Sequence, residues 1–264
     1  MKLPQQLLPY AEALEKTKKP SLIIQGKIQN TTPLESKFGG QPYWLKADEY
    51  PKDGNGEPLR LLAQINFSVM KVTIPDFPTE GILQFFVADD DVYGLNFDDM
   101  TEQDTFRVIY HDTIESDSSK WMTEFPAFGD ENYFPVEKEC ALSFVVSEEI
   151  VAANDYRFNK LTGLDGLLEN DEDEDYDAYD DIMEEYYEVA SGQGSKLGGY
   201  PFFTQEDPRA YGDYPIYDTL LLQIDSEDKL SIMWGDVGVA NFFIAKEDLK
   251  KLDFSKVLYN WDCH

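Results

Sequence analysis

Catalytic side chains are scarce in this sequence. It holds two histidines, His111 and His264, and two cysteines, Cys140 and Cys263. A Ser-His-Asp or Cys-His arrangement would have to use one of the histidines, and His111 ends an apolar run with no signature serine or cysteine around it. A zinc site needs clustered cysteine and histidine side chains, whereas these two cysteines lie far apart. We therefore predict no catalytic set of this kind, no metal site and no cofactor, and we favour a protein that is not an enzyme.

Carboxylates provide the alternative chemistry. With 52 Asp and Glu residues, some pair must lie at the spacing of a glycoside hydrolase by chance, so composition does not discriminate. An enzyme of unknown reaction would depend on Asp236, in the run Trp-Gly-Asp, or on Asp207, which precedes Pro208 and Arg209. The simpler interpretation of Asp236 is a turn residue between two strands, because Gly235 precedes it.

The candidate binding residues occur in two copies. Residues 36–44, SKFGGQPYW, recur as residues 195–203, SKLGGYPFF, and an apolar run that contains one glutamine follows each copy. A buried amide needs hydrogen-bond partners, so we expect each glutamine to brace the neighbouring Gly-Gly-Pro loop. The alternative is that the two loops frame a cleft between the halves, where a ligand would bind. The candidate binding residues are these repeated positions together with one aspartate: Lys37, Gly39, Gly40, Gln64, Lys196, Gly198, Gly199, Gln223 and Asp236.

Strands must position these residues. The apolar runs at 61–66 and 220–225 align between the copies, as do the glycine-started runs at 81–88 and 238–245, which predicts an ancient duplication. Further strands are predicted at 21–25, 105–110, 140–146, 230–234 and 257–261, and helices at 7–14, 155–161 and 246–252. Because strands outnumber helices and adjacent strands are close in sequence, we predict an α+β fold. It would be mostly antiparallel β, with two pseudo-repeated β units, a few helices and an acidic helix between the units.

An acidic block separates the two copies. Residues 165–188 contain 13 acids and no Lys or Arg. Apolar and aromatic residues fall at helical spacing, which favours an amphipathic helix on the core over a disordered linker; they are Tyr176, Tyr179, Ile182, Met183, Tyr186, Tyr187 and Ala190. Asp173, Asp175, Asp177 and Glu184 match EF-hand ligand spacing, but Ala178 replaces the turn glycine, so we predict no calcium loop.

The predicted organisation is a single compact domain over residues 1–264. Its pseudo-repeats cover about 36–150 and 195–264, and an acidic helical segment at 155–190 joins them. No apolar stretch reaches the length of a signal-peptide core or a membrane span, and two scattered cysteines are typical of a reducing compartment. We therefore expect a cytoplasmic protein.

The formal net charge of −30 narrows the range of partners. Repulsion by phosphates argues against nucleic acid and against an anionic membrane surface. Acidic fields speed the capture of cationic partners, so the leading hypothesis is a non-catalytic binding protein for a basic protein. A small-molecule or sugar sensor that uses the aromatic residues Trp44 and Phe203 is a further alternative.

Several blocks of the sequence resemble the YwqG family. They are KFGG-x-P at 37–42, LLAQIN at 61–66, GILQFF at 81–86, GGYPFFTQ-x-DPR at 198–209 and MWGD-x-G-x-ANFFI at 233–244. The resemblance implies a bacterial cytoplasmic protein that carries a domain of unknown function, and it transfers no catalytic residues. Some relatives are associated with secreted-toxin loci, which implies an immunity-like role. Family members often have histidine where this chain has Ser195, and the difference argues against acid–base or metal chemistry in that loop.

Overall fold

The computed structural model describes residues 3–129, 134–164 and 173–264, and at 173–178 the backbone alone. Its strands are β1 (Lys19–Ile28), β2 (Lys37–Phe38), β3 (Arg60–Asn66), β4 (Ile82–Val87), β5 (Phe106–His111), β6 (Cys140–Glu149), β7 (Lys196–Gly198), β8 (Thr219–Asp225), β9 (Val239–Ile244) and β10 (Val257–Asp262). Within the described residues these ten strands form one sheet in the order β10-β9-β8-β7-β1-β6-β2-β3-β4-β5. Neighbouring strands are antiparallel, as predicted.

Two sets of four strands extend from opposite edges of a central pair. The central pair is β1 with β6; the first half is β2–β5 and the second half is β7–β10. The sheet curls until the halves face each other, since the ring centroids of Phe85 and Phe242 are 4.9 Å apart and those of Phe106 and Tyr259 are 5.2 Å apart. One apolar core, built from both halves, fills the space between them.

The two halves share a local irregularity. The pairing register shifts between Leu61 and Ala63 in β3, and between Leu220 and Leu222 in β8. A bulge lets two successive side chains face the same side of a sheet, so the alternation expected of a strand is interrupted. This explains the adjacent apolar residues in both runs: Leu61 and Leu220 enter small outer clusters, while the residues that follow enter the main core.

The helices cover one end of the sheet. A 3-10 turn at Gln5–Tyr10 leads into α1 (Ala11–Lys16), and α2 (Phe158–Thr162), α3 (Asp173–Ala190) and α4 (Lys246–Lys250) follow. Buried residues of the 3-10 turn and of α1, α2 and α3 form a second apolar cluster. The predicted helices are therefore present with shifted ends. Among the helices of the described chain, none has the length and hydrophobicity needed to cross a membrane.

The acidic block is helical where it is described. Tyr186 and Ala190 are buried, and the Tyr186 ring lies 4.9 Å from that of Phe158, so the predicted amphipathic helix is confirmed from Asp173 onward. A continuous helix leaves no loop of the kind that EF-hand ligation requires. Residues 165–172, and the side chains at 173–178, lie outside the described residues.

The strand predicted at 230–234 is wrong. The segment begins in a 3-10 turn that ends at Leu230, Ser231 has a left-handed φ of 55°, and Ile232 makes only isolated bridges in the described chain. Turns at both ends leave too few extended residues for a ladder. The apolar side chains are explained by burial instead, since Ile232 and Trp234 lie in the main core.

Candidate functional site

Gln64 braces the first Gly-Gly loop. Its Nε2 donates to the carbonyls of Pro33 (2.7 Å) and Glu35 (3.0 Å), and its Oε1 accepts from the backbone N–H of Tyr43 at 2.8 Å. Gln84 of the neighbouring strand also donates to this Oε1, at 2.8 Å. The amide is fully buried and all of its hydrogen-bonding groups are used, so it ties both flanks of the loop to β3.

Gln223 braces the second loop in the same way. Its Nε2 donates to the carbonyls of Gly192 (2.9 Å) and Gly194 (2.7 Å), and its Oε1 accepts from the N–H of Phe202 at 2.8 Å. These partners correspond to those of Gln64. The number of residues between Gln64 and Gln223 also separates Pro33 from Gly192, Glu35 from Gly194, and Tyr43 from Phe202. Asn241 of the neighbouring strand does not reach Gln223, and its Oδ1 is buried without a hydrogen bond in the described chain.

Lys37 is buried behind the first loop. Its Nζ donates to the carbonyls of Thr32 (2.8 Å) and Gln41 (2.9 Å), while the nearest Glu139 oxygen is 3.9 Å away. Only 1% of the side chain is exposed, and this burial lowers the pKa of Lys37 to about 8 although Glu139 opposes the shift. Glu139 itself accepts hydrogen bonds from the N–H and the hydroxyl of Thr31.

Lys196 is equally buried and has a direct counterion. Its Nζ lies 2.9 Å from an oxygen of Glu149, and the same oxygen accepts from the N–H of Tyr200 at 3.1 Å. The other oxygen of Glu149 accepts from Ser21 at 2.8 Å. Burial lowers the pKa of Lys196, while the charge of Glu149 opposes this shift. The second lysine is thus held by an ion pair rather than by backbone carbonyls.

The glycines let these glutamates approach the loops. Gly40 and Gly199 have left-handed φ angles of 71° and 69°. A Cβ at Gly40 would come within 2.5 Å of the Glu139 carboxylate, and a Cβ at Gly199 would come within 2.4 Å of an oxygen of Glu149. The left-handed backbone therefore favours glycine at both positions, and the missing side chain leaves room for the carboxylates.

The two loops lie at opposite ends of the central pair. Glu139 directly precedes β6 and Glu149 ends it, so the loops are separated by roughly 30 Å of strand. A single cleft framed by both loops, which was the alternative drawn from the sequence, is therefore not formed. Ile74, from the first half, lies over Gly198, whereas Gly39 lies under Val136 of the segment before β6, and Val136 is bridged to Ile232 of the second half.

A cavity of about 310 Å³ lies beside the second loop, between the halves. Gly198 and Gly199 form part of its wall, together with Lys19 of β1 and Ile74 and Phe77 of the segment after β3. A Cβ at Gly39 would lie 3.2 Å from Val136 and a Cβ at Gly198 would lie 2.6 Å from Ile74, so both loops are in close contact with the segments that cover them. Of the candidate residues, only these two glycines line this cavity; Lys196 lines a smaller one, of about 190 Å³, with Glu149.

Sequence analysis missed a buried network of two Asp-x-Arg motifs. Asp155 accepts from Arg157 at 2.7 Å and from Arg209 at 3.0 Å, and Asp207 accepts from Arg209 at 2.6 Å. Burial by itself would raise the pKa of Asp155, but hydrogen bonds and charge from the two arginines lower it to about 2. The Asp-x-Arg spacing, which occurs twice and allows a bidentate contact between the carboxylate and the guanidinium, was the signal for this network in the sequence. Asp207, the candidate carboxylate of an enzyme, is thus committed to Arg209.

The other residues singled out from the sequence lie in a turn, in a hydrogen bond to a neighbouring strand, or in apolar clusters. Asp236 is an exposed turn residue, and its carbonyl accepts from the N–H of His264 at 3.2 Å. His111 lies 2.9 Å from the Oε1 of Gln84, and burial lowers its pKa. Trp44 and Phe203 are buried in the small outer clusters. In the part of the chain that the structure describes, no group of three or more His, Cys, Asp or Glu side chains is arranged to hold a metal ion.

Comparison with protein-family models relates the chain to one family. A search of curated proteins found no match. A family model described as "Domain of unknown function (DUF1963)" matches residues 36–263. This range includes both braced loops, both halves of the sheet and the central strand β6. The chain therefore belongs to the family of proteins that carry this domain of unknown function.

Proposed function

We propose that the protein is a non-catalytic binding protein that captures a basic protein partner on the outer face of α3. The observation that carries the proposal is a row of exposed, unpaired carboxylates on a helix that the core holds in place. The resemblance to the YwqG family, with its toxin-associated relatives, supports a partner of the toxin type. Two unpaired cysteines, Cys140 and Cys263, support a reducing cytoplasmic location.

The helix is anchored on its inner side. The hydroxyl of Tyr186 donates to the carbonyl of Val151 at 2.6 Å, and its ring contacts Phe158. Tyr186 and Ala190 are buried, and Ile182 and Met183 pack partly against the same cluster. An anchored helix presents its charges in a constant geometry, which lowers the ordering cost of binding.

The outer side is acidic and has no internal neutralisation. Asp180, Asp181, Glu184 and Glu188 are exposed, and none of these four lies within ion-pair distance of a cation among the described residues. The helix contains no Lys or Arg. Like charges four residues apart, as in Asp180 and Glu184, each cost a few tenths of a kcal/mol in an isolated helix. A basic partner would relieve this repulsion.

A depression beside the acidic row suits a long cationic side chain. It has a volume of about 440 Å³, and its walls include Tyr156, Tyr179 and Tyr187. Tyr187 is 42% exposed. Aromatic faces attract Arg and Lys, so an inserted cation would meet tyrosine rings inside the depression, two of which belong to the same helix as the acidic row.

The matching hydrogen bonds around Gln64 and Gln223 support the duplication predicted from the sequence. On this view the two loops are structural braces inherited from one ancestral unit. Their lysines and glutamines then stabilise the fold, and binding of the partner depends on the acidic helix α3 instead. We do not propose nucleic acid or a membrane as the partner, because the same charge repels both.

Capture from native cytosol tests the proposal. The wild type is compared with a variant that carries Asp180→Asn, Asp181→Asn, Glu184→Gln and Glu188→Gln. A matched control neutralises four exposed carboxylates elsewhere, Glu49, Glu57, Asp98 and Glu102, so the net charge is the same. We expect the wild type and the control to retain the same basic protein and the α3 variant to lose it. Equal retention by all three, or retention of none, would contradict the proposal.

A further inference from the structure

The cavity beside Gly198 and Gly199 combines apolar walls with a partly buried lysine. Ile74, Phe77 and Leu249 contribute apolar surface from both halves, and Lys19 lines the same space. A volume of about 310 Å³ lies at the small end of the range of about 300–1,000 Å³ for ligand sites. A cavity that combines apolar walls with a few charged side chains suits a small amphipathic molecule.

Lys19 has no counterion. Its Nζ lies 4.5 Å from the centroid of the Tyr200 ring, and it makes no hydrogen bond or ion pair with the residues that the structure describes. Burial lowers the pKa of Lys19 to about 8. The positive charges of Arg157 and Arg209 contribute to this shift, while Asp155 and Asp218 oppose it.

The other charged groups of the cavity are occupied. Lys246 lies 3.1 Å from Asp76. Asp218 accepts from the hydroxyl of Thr219 at 3.0 Å and from the N–H of Lys246 at 3.0 Å. Among the residues that line this cavity, Lys19 is thus the cation left to neutralise an incoming anion, and two aspartates at the rim oppose an anion with two charges.

We propose that this cavity binds a small monocarboxylate with an apolar body, whose carboxylate pairs with the ammonium group of Lys19 while its body contacts Ile74, Phe77 and Leu249. The site is independent of the acidic face of α3. One charge on the ligand matches one unpaired cation, and the aspartates disfavour a doubly charged phosphate. The apolar walls supply affinity through burial of the hydrocarbon.

Binding must be linked to the protonation of Lys19. The carboxylate favours the charged amine, so the ligand raises the pKa of Lys19 and the complex takes up protons near pH 8. Affinity is therefore greatest below the pKa of Lys19 in the unliganded protein, which is about 8. It falls by up to about tenfold for each pH unit above that value. The ligand itself stays ionised throughout this range.

Calorimetric titration with hexanoate tests the proposal. The wild type is compared with Lys19→Met and with the control Lys18→Met, which removes the same charge from a neighbouring side chain that pairs with Glu15 and Glu148. We expect Lys19→Met to lose at least about tenfold in affinity and Lys18→Met to stay within about twofold. Titrations at about pH 8 in two buffers of different ionisation enthalpy should give an uptake of about half a proton for the wild type and none for Lys19→Met.

A second measurement needs no variant. In ¹³C-lysine-labelled wild-type protein, the Lys19 resonance should titrate near pH 8, well below the other lysines with exposed amines, and hexanoate should move its midpoint upward. The proposal is overturned if hexanoate fails to bind the wild type at concentrations on the order of ten millimolar. Equal binding by Lys19→Met, inorganic phosphate that binds as tightly as hexanoate, or a Lys19 midpoint that hexanoate leaves unchanged would also overturn it.

Discussion

The loop at Gly39 and the loop at Gly198 are held by corresponding hydrogen bonds, yet their buried lysines are neutralised differently. Lys37 donates to two backbone carbonyls, and its nearest carboxylate oxygen is 3.9 Å away. Lys196 forms a direct ion pair with Glu149 at 2.9 Å. The scaffold thus accommodates a buried cation in two ways: backbone carbonyls hold Lys37, and a glutamate in direct contact holds Lys196.

The space around the two loops differs as well. Gly198 and Gly199 line a cavity of about 310 Å³, whereas the cavity of about 330 Å³ near the first loop is lined by Ser36 and not by Gly39 or Gly40. The glycines of the second loop thus border a cavity, and we expect them, rather than Gly39 and Gly40, to respond to a small ligand. Loss of the Glu149 ion pair, removal of either brace and a change of pH should each expose this asymmetry.

The largest effect is expected for Glu149→Gln. The substitution leaves Lys196 buried opposite a neutral group, and breaking a buried pair in this way costs about 3–5 kcal/mol of unfolding free energy. Glu148→Gln, on the same strand, is the control. It alters an exposed pair with Lys18 and should cost less than about 1 kcal/mol. Urea unfolding of both variants measures the difference, and equal costs would refute the assigned role of Glu149.

Replacing the two bracing glutamines should show which loop loses more unfolding free energy without its brace. Gln64→Met leaves two N–H groups and two carbonyls without their partner, which should cost about 2–4 kcal/mol. Gln223→Met leaves one N–H group fewer, because Asn241 makes no such bond. Its cost should be lower by about 1 kcal/mol. A larger loss for Gln223→Met in chemical denaturation would reverse the ranking and contradict the hydrogen-bond assignment.

The pH dependence of stability should report the burial of Lys37. The pKa of Lys37 is about 8 in the folded protein, below the ordinary value of 10.5. The unfolded chain therefore binds more protons between these values, so this group's contribution to stability rises with pH through that range and is lost as pH falls through 8. Between about pH 7.5 and about pH 9.5 the wild type should gain about 2 kcal/mol relative to Lys37→Met.

The control for this measurement is Lys27→Met, which removes an exposed lysine. Its stability relative to the wild type should change little over the same range. Parallel pH curves for the wild type and Lys37→Met would show that Lys37 is not held in the charged, desolvated state that the structure indicates.

The smallest effect is expected for Glu139→Gln. At 3.9 Å this carboxylate contributes little to Lys37, and the amide oxygen of glutamine can still accept from the N–H of Thr31. The unfolding free energy should fall by about 1–2 kcal/mol, less than for Glu149→Gln. If Glu139→Gln costs as much as Glu149→Gln, the two loops use their glutamates alike and the comparison fails.

Much of the local structure could be predicted from sequence pattern. Glutamines inside apolar strand runs indicated buried amides, and Gln64 and Gln223 both bond to the flanks of their loops as expected. The aromatic spacing around Tyr186 predicted α3. These signals are local, because strand and helix periodicity and the needs of a buried amide act over a few residues.

The long-range partners could not be predicted. Among 52 acids, nothing local distinguishes Glu139 and Glu149, whose roles depend on the register of β6 against its neighbours. Lys19 was overlooked for the same reason: its isolation results from a strand end, a distant loop and the Tyr200 ring meeting in space. The strand predicted at 230–234 failed because turn geometry at Ser231 outweighed apolar composition.

The expected difference between the corresponding loops is their capacity to bind a ligand. It is tested most directly by recording backbone amide resonances of the wild type during a hexanoate titration. We predict that the Gly198 and Gly199 resonances move in a saturable way while those of Gly39 and Gly40 stay in place. Equal movement at both loops, or movement at Gly39 and Gly40 alone, would contradict it.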